Sequence, residues 1–229
     1  RKAVGAEHSL HSLCRPIRPT DTAFEAACRR RWASIAKPLG ALGLLEDAVS
    51  RIGAIQRTES PCIDKRALAV FCADNGIVAE GVTQTDSSVT AVVAENLCTG
   101  RTSVCKMARL ARRDVYPVDM GMLRGVEHPL MHDLHVARGT ADFLLGDAMT
   151  VEQAEQALLS GADFAAELCS QGYRLLATGE MGIGNTPTSS ALAAVFLGVP
   201  PKTVTGAGAG LSAQGVARKI RVIEQGIAL

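Results

Sequence analysis

Apolar positions along this chain follow two periods, and their alternation predicts an α/β protein. Leu42, Leu45, Val49, Ile52 and Ile55 share one helical stripe, with Glu46, Asp47 and Arg51 largely off it. Residues 67–72 form a continuous apolar run, as expected of a strand covered on both faces in a parallel sheet. The run ends at Asp74-Asn75-Gly76, a turn signal. Residues 89–110 read as helix interrupted near Gly100, and 115–118 as a second strand closing on Asp119-Met120-Gly121. Residues 121–147 are rich in loop formers. Thr150 with Gln153 three positions on is a capping box opening a helix that Gly172 ends. Residues 173–178 predict a third strand closing on Gly179-Glu180, and 189–197 a helix with Pro187 or Thr188 at its start. Thr203 to Thr205 predicts a brief fourth strand before a glycine-rich loop, and a last helix runs from Ser212 or Ala213 to Ala228. Upstream, residues 22–31 form a short helix, Lys37-Pro38-Leu39-Gly40 breaks the chain, and residues 1–20, with Pro16 and Pro19, form a loose leader.

Strands alternating with helices imply a mainly parallel sheet with helices on both faces, a Rossmann-like three-layer arrangement. Residues 1–60 form a helical segment belonging to a small helical subdomain, and 61–229 the α/β domain.

Composition narrows the function. With 47% hydrophobic and 21% charged residues the chain is globular, not disordered. Aromatics at 3% disfavour a platform of stacked bases, and a net charge of +1 supplies no field toward nucleic acid or an anionic membrane. The cysteines, seven in number, include no C-x-x-C pair, which argues against a zinc site and a secreted disulfide framework. No apolar stretch is long enough to span a bilayer and no signal-peptide core is present, so a reducing cytoplasm is the expectation. The chain opens on Arg1 and stops at Leu229 inside an expected helix, as a fragment of a longer protein would.

In open parallel sheets ligands bind beyond the carboxyl ends of the strands. Here each such end carries glycine and polar residues. The sharpest is the 179–190 segment, G-E-M-G-I-G-N-T-P-T-S-S, running from a strand into a helix. Its glycines permit close backbone approach, the helix start favours an anion, and Asn185, Thr186 and Thr188 add donors. This outlines a phosphate cradle, against the plainer reading of a capped tight turn. Glu180 beside it would repel phosphate and suits sugar hydroxyls instead. Gly206, Gly208 and Gly210 repeat the logic, and Lys219 lies two turns into the following helix, where most lysines are merely solvated. The loop from Glu80 to Ser88 either lines a pocket or crosses the surface. His128, His132 and His135 lack clean ligand spacing, so no metal is assigned. Arg29-Arg30-Arg31 reads as a solvated helix face, and Cys98 and Cys105 as core.

These residues resemble the CobT family, nicotinate-nucleotide–dimethylbenzimidazole phosphoribosyltransferase, over nearly the whole chain from Arg31. The resemblance rests on K-P-L-G-A-L-G-L-L-E at 37–46, A-D-N-G at 73–76, Glu80-Gly81-Val82, Val89-Thr90-Ala91, A-R-G-T at 137–140, G-E-M-G-I-G-N-T at 179–186 and the 206–219 segment. It implies transfer of the phosphoribosyl group of nicotinate mononucleotide to 5,6-dimethylbenzimidazole, with inversion, in a homodimer and without cofactor. By position, Glu180 engages the ribose region. Gly182, Asn185, Thr186, Gly208 and Lys219 bind the nucleotide, and Thr85 and Met181 wall the benzimidazole. Asn75 stands where other members carry His, and Val93 where some carry Gln. The family's general base lies in a part beyond Leu229, leaving Glu180 as the substitute to nominate. The alternatives are a nucleotide-binding but catalytically incomplete fragment, and a nicotinamide-dependent oxidoreductase, which the imperfect glycine fingerprint disfavours.

Overall fold

The computed structural model describes residues 9–13 and 18–229; Cys14 and most of the expected leader lie outside the described residues. The chain divides into two compact units between Asp64 and Lys65.

The first unit is helical: α1 (Leu10–Leu13), α2 (Thr22–Ser34) and α3 (Leu44–Gln56). Asp21 caps α2, its Oδ1 accepting from the amides of Ala23 (3.0 Å) and Phe24 (3.4 Å). Helices α2 and α3 approach closely at Gly53, where any Cβ would strike Cys28. Arginines 29, 30 and 31 are exposed, as a solvated helix face requires, and two of them also make surface bonds. Arg29 pairs with Glu25 (2.9 Å) and Asp47 (2.6 Å), and Arg31 donates to the Glu59 carbonyl (3.0 Å). Within the 37–46 segment Lys37 and Glu46 pair at 2.7 Å, and Lys37 together with the Leu42 amide holds the Glu46 carboxyl below its usual range.

The second unit is an α/β layer structure. It runs β1 (Arg66–Ala73), a 3₁₀ turn (Gly76–Glu80), α4 (Ser88–Cys98), α5 (Ser103–Leu110), β2 (Asp114–Gly121), β3 (His132–Asp133), α6 (Val151–Ser170), β4 (Leu175–Met181), α7 (Asn185–Leu197), α8 (Pro201–Val204) and α9 (Ala213–Ile227). The strands are all parallel in the order β3-β2-β1-β4. Residues of β1 alternate between two cores. Leu68, Val70 and Cys72 pack with Ala94 and Leu97 of α4 and Cys105 of α5. Ala67 and Ala69 pack with Phe164 and Leu168 of α6. Helices therefore cover both faces, which is why β1 reads as an unbroken apolar run. Burying side chains the size of Phe164 or Leu168 contributes about 1.5–3 kcal/mol each.

Thr150 caps α6 as its spacing predicts, with both halves of the capping box formed. The expected fourth strand at Thr203 to Thr205 is absent. Pro201 occupies the first turn of a short helix there, where its fixed φ favours helical backbone. The third strand is also longer than expected at its far end: Gly179, Glu180 and Met181 belong to β4, paired with Val70, Phe71 and Cys72. Helix α7 starts at Asn185, earlier than Pro187, and the long loop after β2 contributes the two-residue strand β3. At the carboxyl end of the sheet, buried Asp119 accepts from the amides of Gly121 (3.0 Å) and Met122 (2.8 Å). Asp74 accepts from the amide of Leu123 (2.8 Å), so the loops above the sheet are held by carboxylates.

Candidate functional site

A cleft of about 70 Å³ opens beyond β4, between three loops. The 182–186 segment, the 82–85 segment and Ala207, Ala209 and Leu211 line it. Its volume is far below the roughly 300–1,000 Å³ of whole-ligand pockets, so it suits one small group of a larger molecule. A wider hollow of about 500 Å³ lies beside Asp119, Glu127, His128, Asp133 and Arg138. Of its lining groups Arg138 pairs with Asp119 (3.3 Å), and Asp133 bonds His135 nearby (2.5 Å).

The glycines of the cleft are needed for close approach. A Cβ on Gly182 would collide with the Ala73 carbonyl and lie 2.7 Å from Glu180 Oε1. Gly184 has φ +88°, and a Cβ there would stand 2.8 Å from Val78 and 3.0 Å from Asn75. Side chains from two other elements pin this loop. Thr90 Oγ1 accepts from the Ile183 amide (3.1 Å), and Asn75 Nδ2 donates to the Ile183 carbonyl (3.2 Å). Asn75 Oδ1 in turn accepts from Thr188 Oγ1 (2.9 Å).

Lys219, on α9, is fully buried beside Val222 and Ile223. Its ammonium donates to Thr186 Oγ1 (2.7 Å) and to the Gly206 carbonyl (3.2 Å). No carboxylate pairs with it among the described residues. Burial pushes its pKa below the ordinary lysine value, with no acidic group opposing the shift. A buried cation without a counter-charge is costly, so this environment is electrostatically suited to an anion. Thr186 stands between the ammonium and the cleft. Its oxygen accepts from Lys219 and retains one O–H to donate.

Thr85, Gly182, Asn185 and Thr186 are thus brought together on the cleft wall, with Gly208 and Lys219 directly behind Thr186. Glu180 sits at the rim, bonded by Asn185 Nδ2. Loss of hydration raises its pKa, and the Asn185 hydrogen bond opposes the rise. Met181 is not on the cleft wall. The two-residue period of β4 turns it the other way from Glu180, against the Leu68–Val70–Cys72 cluster. Gln84, whose Nε2 donates to the Gly210 carbonyl and ties two cleft loops together, was not singled out by its sequence context beyond lying in the polar 80–88 loop. Asn75 and Thr90 likewise act across more than ninety residues of chain. Among the described residues no group of His, Cys, Asp and Glu could hold a metal ion, and no helix is long and apolar enough to cross a membrane.

Comparison with known proteins identifies the family of the chain. A family model described as phosphoribosyltransferase matches residues 17–229. A nicotinate-nucleotide–dimethylbenzimidazole phosphoribosyltransferase of Clostridium acetobutylicum is 35% identical over 221 residues, covering 96% of this chain and 63% of that protein. One from Roseiflexus sp. is 41% identical over 214 residues, 93% of this chain and 61% of that protein. The crystal structure of CobT from Thermus thermophilus superposes with a TM-score of 0.86 at 38% identity, over 90% of this chain and 62% of that one. The chain thus spans about three fifths of the length of these relatives. A match over residues 17–229, on a fold shared at 38% identity, shows that this chain belongs to the phosphoribosyltransferase family.

Proposed function

We propose that this chain holds the nucleotide phosphate in an enzyme that transfers the phosphoribosyl group of nicotinate mononucleotide to 5,6-dimethylbenzimidazole. The products are nicotinate and α-ribazole 5′-phosphate, the lower-ligand nucleotide of cobalamin. One observation carries this reading: the fully buried, carboxylate-free Lys219 ammonium behind Thr186, at a cleft of phosphate size between glycine loops. The names of the relatives support the identity of the two substrates.

The chemistry asks little of the protein beyond positioning. The C1′–N bond of the pyridinium breaks and its electron pair returns to the ring, so nicotinate leaves without protonation. The unprotonated azole nitrogen attacks C1′ from the opposite face, inverting the anomeric centre, and the proton on the other ring nitrogen passes to a base. In this reading Gly182, Asn185, Thr186, Gly208 and Lys219 fix the phosphate, and Thr85 borders the acceptor. Met181, partly buried outside the phosphate cleft, walls the acceptor. Glu180, raised by partial desolvation, accepts from the ribose hydroxyls and is the acid of this chain nearest the reacting atoms; the family's general base is expected beyond Leu229. The same reading carries a homodimer working in the cytoplasm, which light scattering and cell fractionation test.

The full-length protein incubated with both substrates should yield α-ribazole phosphate and nicotinate by chromatography. A folded protein giving neither product would refute the reaction. Because the chain spans three fifths of its relatives, a second reading is that these 229 residues alone bind nicotinate mononucleotide without turnover. Calorimetry beside the same chromatography separates the two.

A further inference from the structure

Two successive peptides of the cleft loop are almost fully committed to the protein. The Gly182 carbonyl accepts from the Asn185 amide (3.1 Å), and the Ile183 amide donates to Thr90 Oγ1 (3.1 Å), so the first peptide is fixed at both ends. The second, Ile183–Gly184, is fixed at its carbonyl by Asn75 Nδ2 (3.2 Å). Its N–H has no acceptor among the described residues. In a trans peptide the N–H points opposite to the C=O. With the carbonyl drawn toward Asn75, the Gly184 N–H faces away from β1, and Gly184 itself lines the cleft.

This orientation is not enforced by the backbone alone. Gly184 has φ +88°, and glycine tolerates the sign-reversed φ that a flip of the preceding peptide would produce. The flipped state would present the Ile183 carbonyl to the cleft and repel an anion. Pro187, in the first turn of α7, offers no amide either.

We propose that Asn75 is a positioning residue: by holding the Ile183 carbonyl, it sets the Gly184 N–H toward the anionic group in the cleft. The proposal rests on the phosphate reading given above. Asn75 suits the task because it both donates to Ile183 and accepts from Thr188 Oγ1 (2.9 Å), which fixes its own amide plane between the loop and α7.

The test uses the full-length protein and its N75D and N75H variants. N75D keeps size and the Thr188 contact but replaces the donor with an acceptor. N75H restores one N–H and one acceptor nitrogen. Calorimetry with inorganic phosphate, and the KM of each substrate, are the readouts. N75D should weaken phosphate binding and raise the KM for nicotinate mononucleotide about tenfold or more, as expected for a lost hydrogen bond to a charged group. The KM for dimethylbenzimidazole should stay within about twofold, and N75H should recover most of the loss. Should N75D fail to fold, T188V releases Asn75 from the other side and should give the same split at about threefold. Unchanged phosphate affinity in a folded N75D, equal loss for both substrates, or no recovery in N75H overturns the proposal. If the unmodified protein binds no phosphate, the phosphate reading falls and takes this proposal with it; if it binds and the variants match it, only the role of Asn75 falls.

Discussion

Replacing Lys219 by methionine removes the ammonium while keeping an unbranched apolar chain in the same buried slot. The ammonium lies 2.7 Å from Thr186 Oγ1, and one further hydrogen bond of about 2.7 Å, meeting the first at roughly 110° on the hydroxyl oxygen, places a bound phosphate oxygen about 4.4 Å away. At an effective dielectric of about 20, unit charges at that separation interact by about 4 kcal/mol. Solvent at the cleft mouth reduces this to about 1.5–3 kcal/mol, or about 10–150-fold in Kd. Calorimetry with inorganic phosphate and with nicotinate mononucleotide measures it. The pH dependence supplies a second signature. Burial lowers the Lys219 pKa in the free protein, so the ammonium begins to lose its proton below the ordinary lysine value of 10.5. Within that window binding an anion takes up a proton, and affinity falls as pH rises. The unfolded chain binds more protons there than the native one, so the ligand-free protein gains stability as pH rises through the same window. K219M should lose both slopes. Phosphate affinity in K219M within about twofold of the unmodified protein, with the slopes intact, would refute the reasoning.

Three other outcomes follow from the geometry. Gly182→Ala places a methyl against the Ala73 carbonyl and Glu180 and should abolish phosphate binding at the cleft, while Gly161→Ala, with open space around it, should leave binding unchanged in the same titration. Burial pushes the Cys72 thiol up to about 12. At pH 8 a thiol reagent followed by mass spectrometry should therefore label exposed Cys62 and Cys169 first and leave Cys72 unlabelled until the protein unfolds. Thr150→Ala breaks the capping box of α6 and should cost about 1 kcal/mol in urea unfolding, without altering phosphate binding.

The parts of the fold visible in the sequence are those whose cause is local. The unbroken apolar run of β1, the stripe of α3 and the Thr150 box each announce an element within a few residues. Where tertiary packing decides, the local pattern misleads. Gly179 reads as the start of a loop, yet it lies within β4, where a Cβ would press on Val70 at 3.3 Å; the glycine is an allowance for packing, not a turn. Thr203 to Thr205 has strand-forming residues, but the prolines before them favour a helical turn. The site divides in the same way. The glycine loops, Asn185 and Thr186 are legible because a cradle needs them contiguous. The full burial of Lys219 is not, since nothing within α9 distinguishes it from a solvated lysine. The facing of Met181, away from Glu180, is set by the register of β4 against Cys72, more than a hundred residues away, and no local pattern shows it. Asn75 and Gln84 act on loops equally remote in sequence.

The central claim is that a buried ammonium, relayed through a threonine hydroxyl between two glycine loops, grips the phosphate of a mononucleotide. A crystal structure of the full-length protein with nicotinate mononucleotide tests it most directly. The account predicts phosphate oxygens within hydrogen-bonding distance of Thr186 Oγ1 and the Gly184 amide, with Lys219 behind them. A phosphate bound elsewhere, with Thr186 and Gly184 left to solvent, would contradict it.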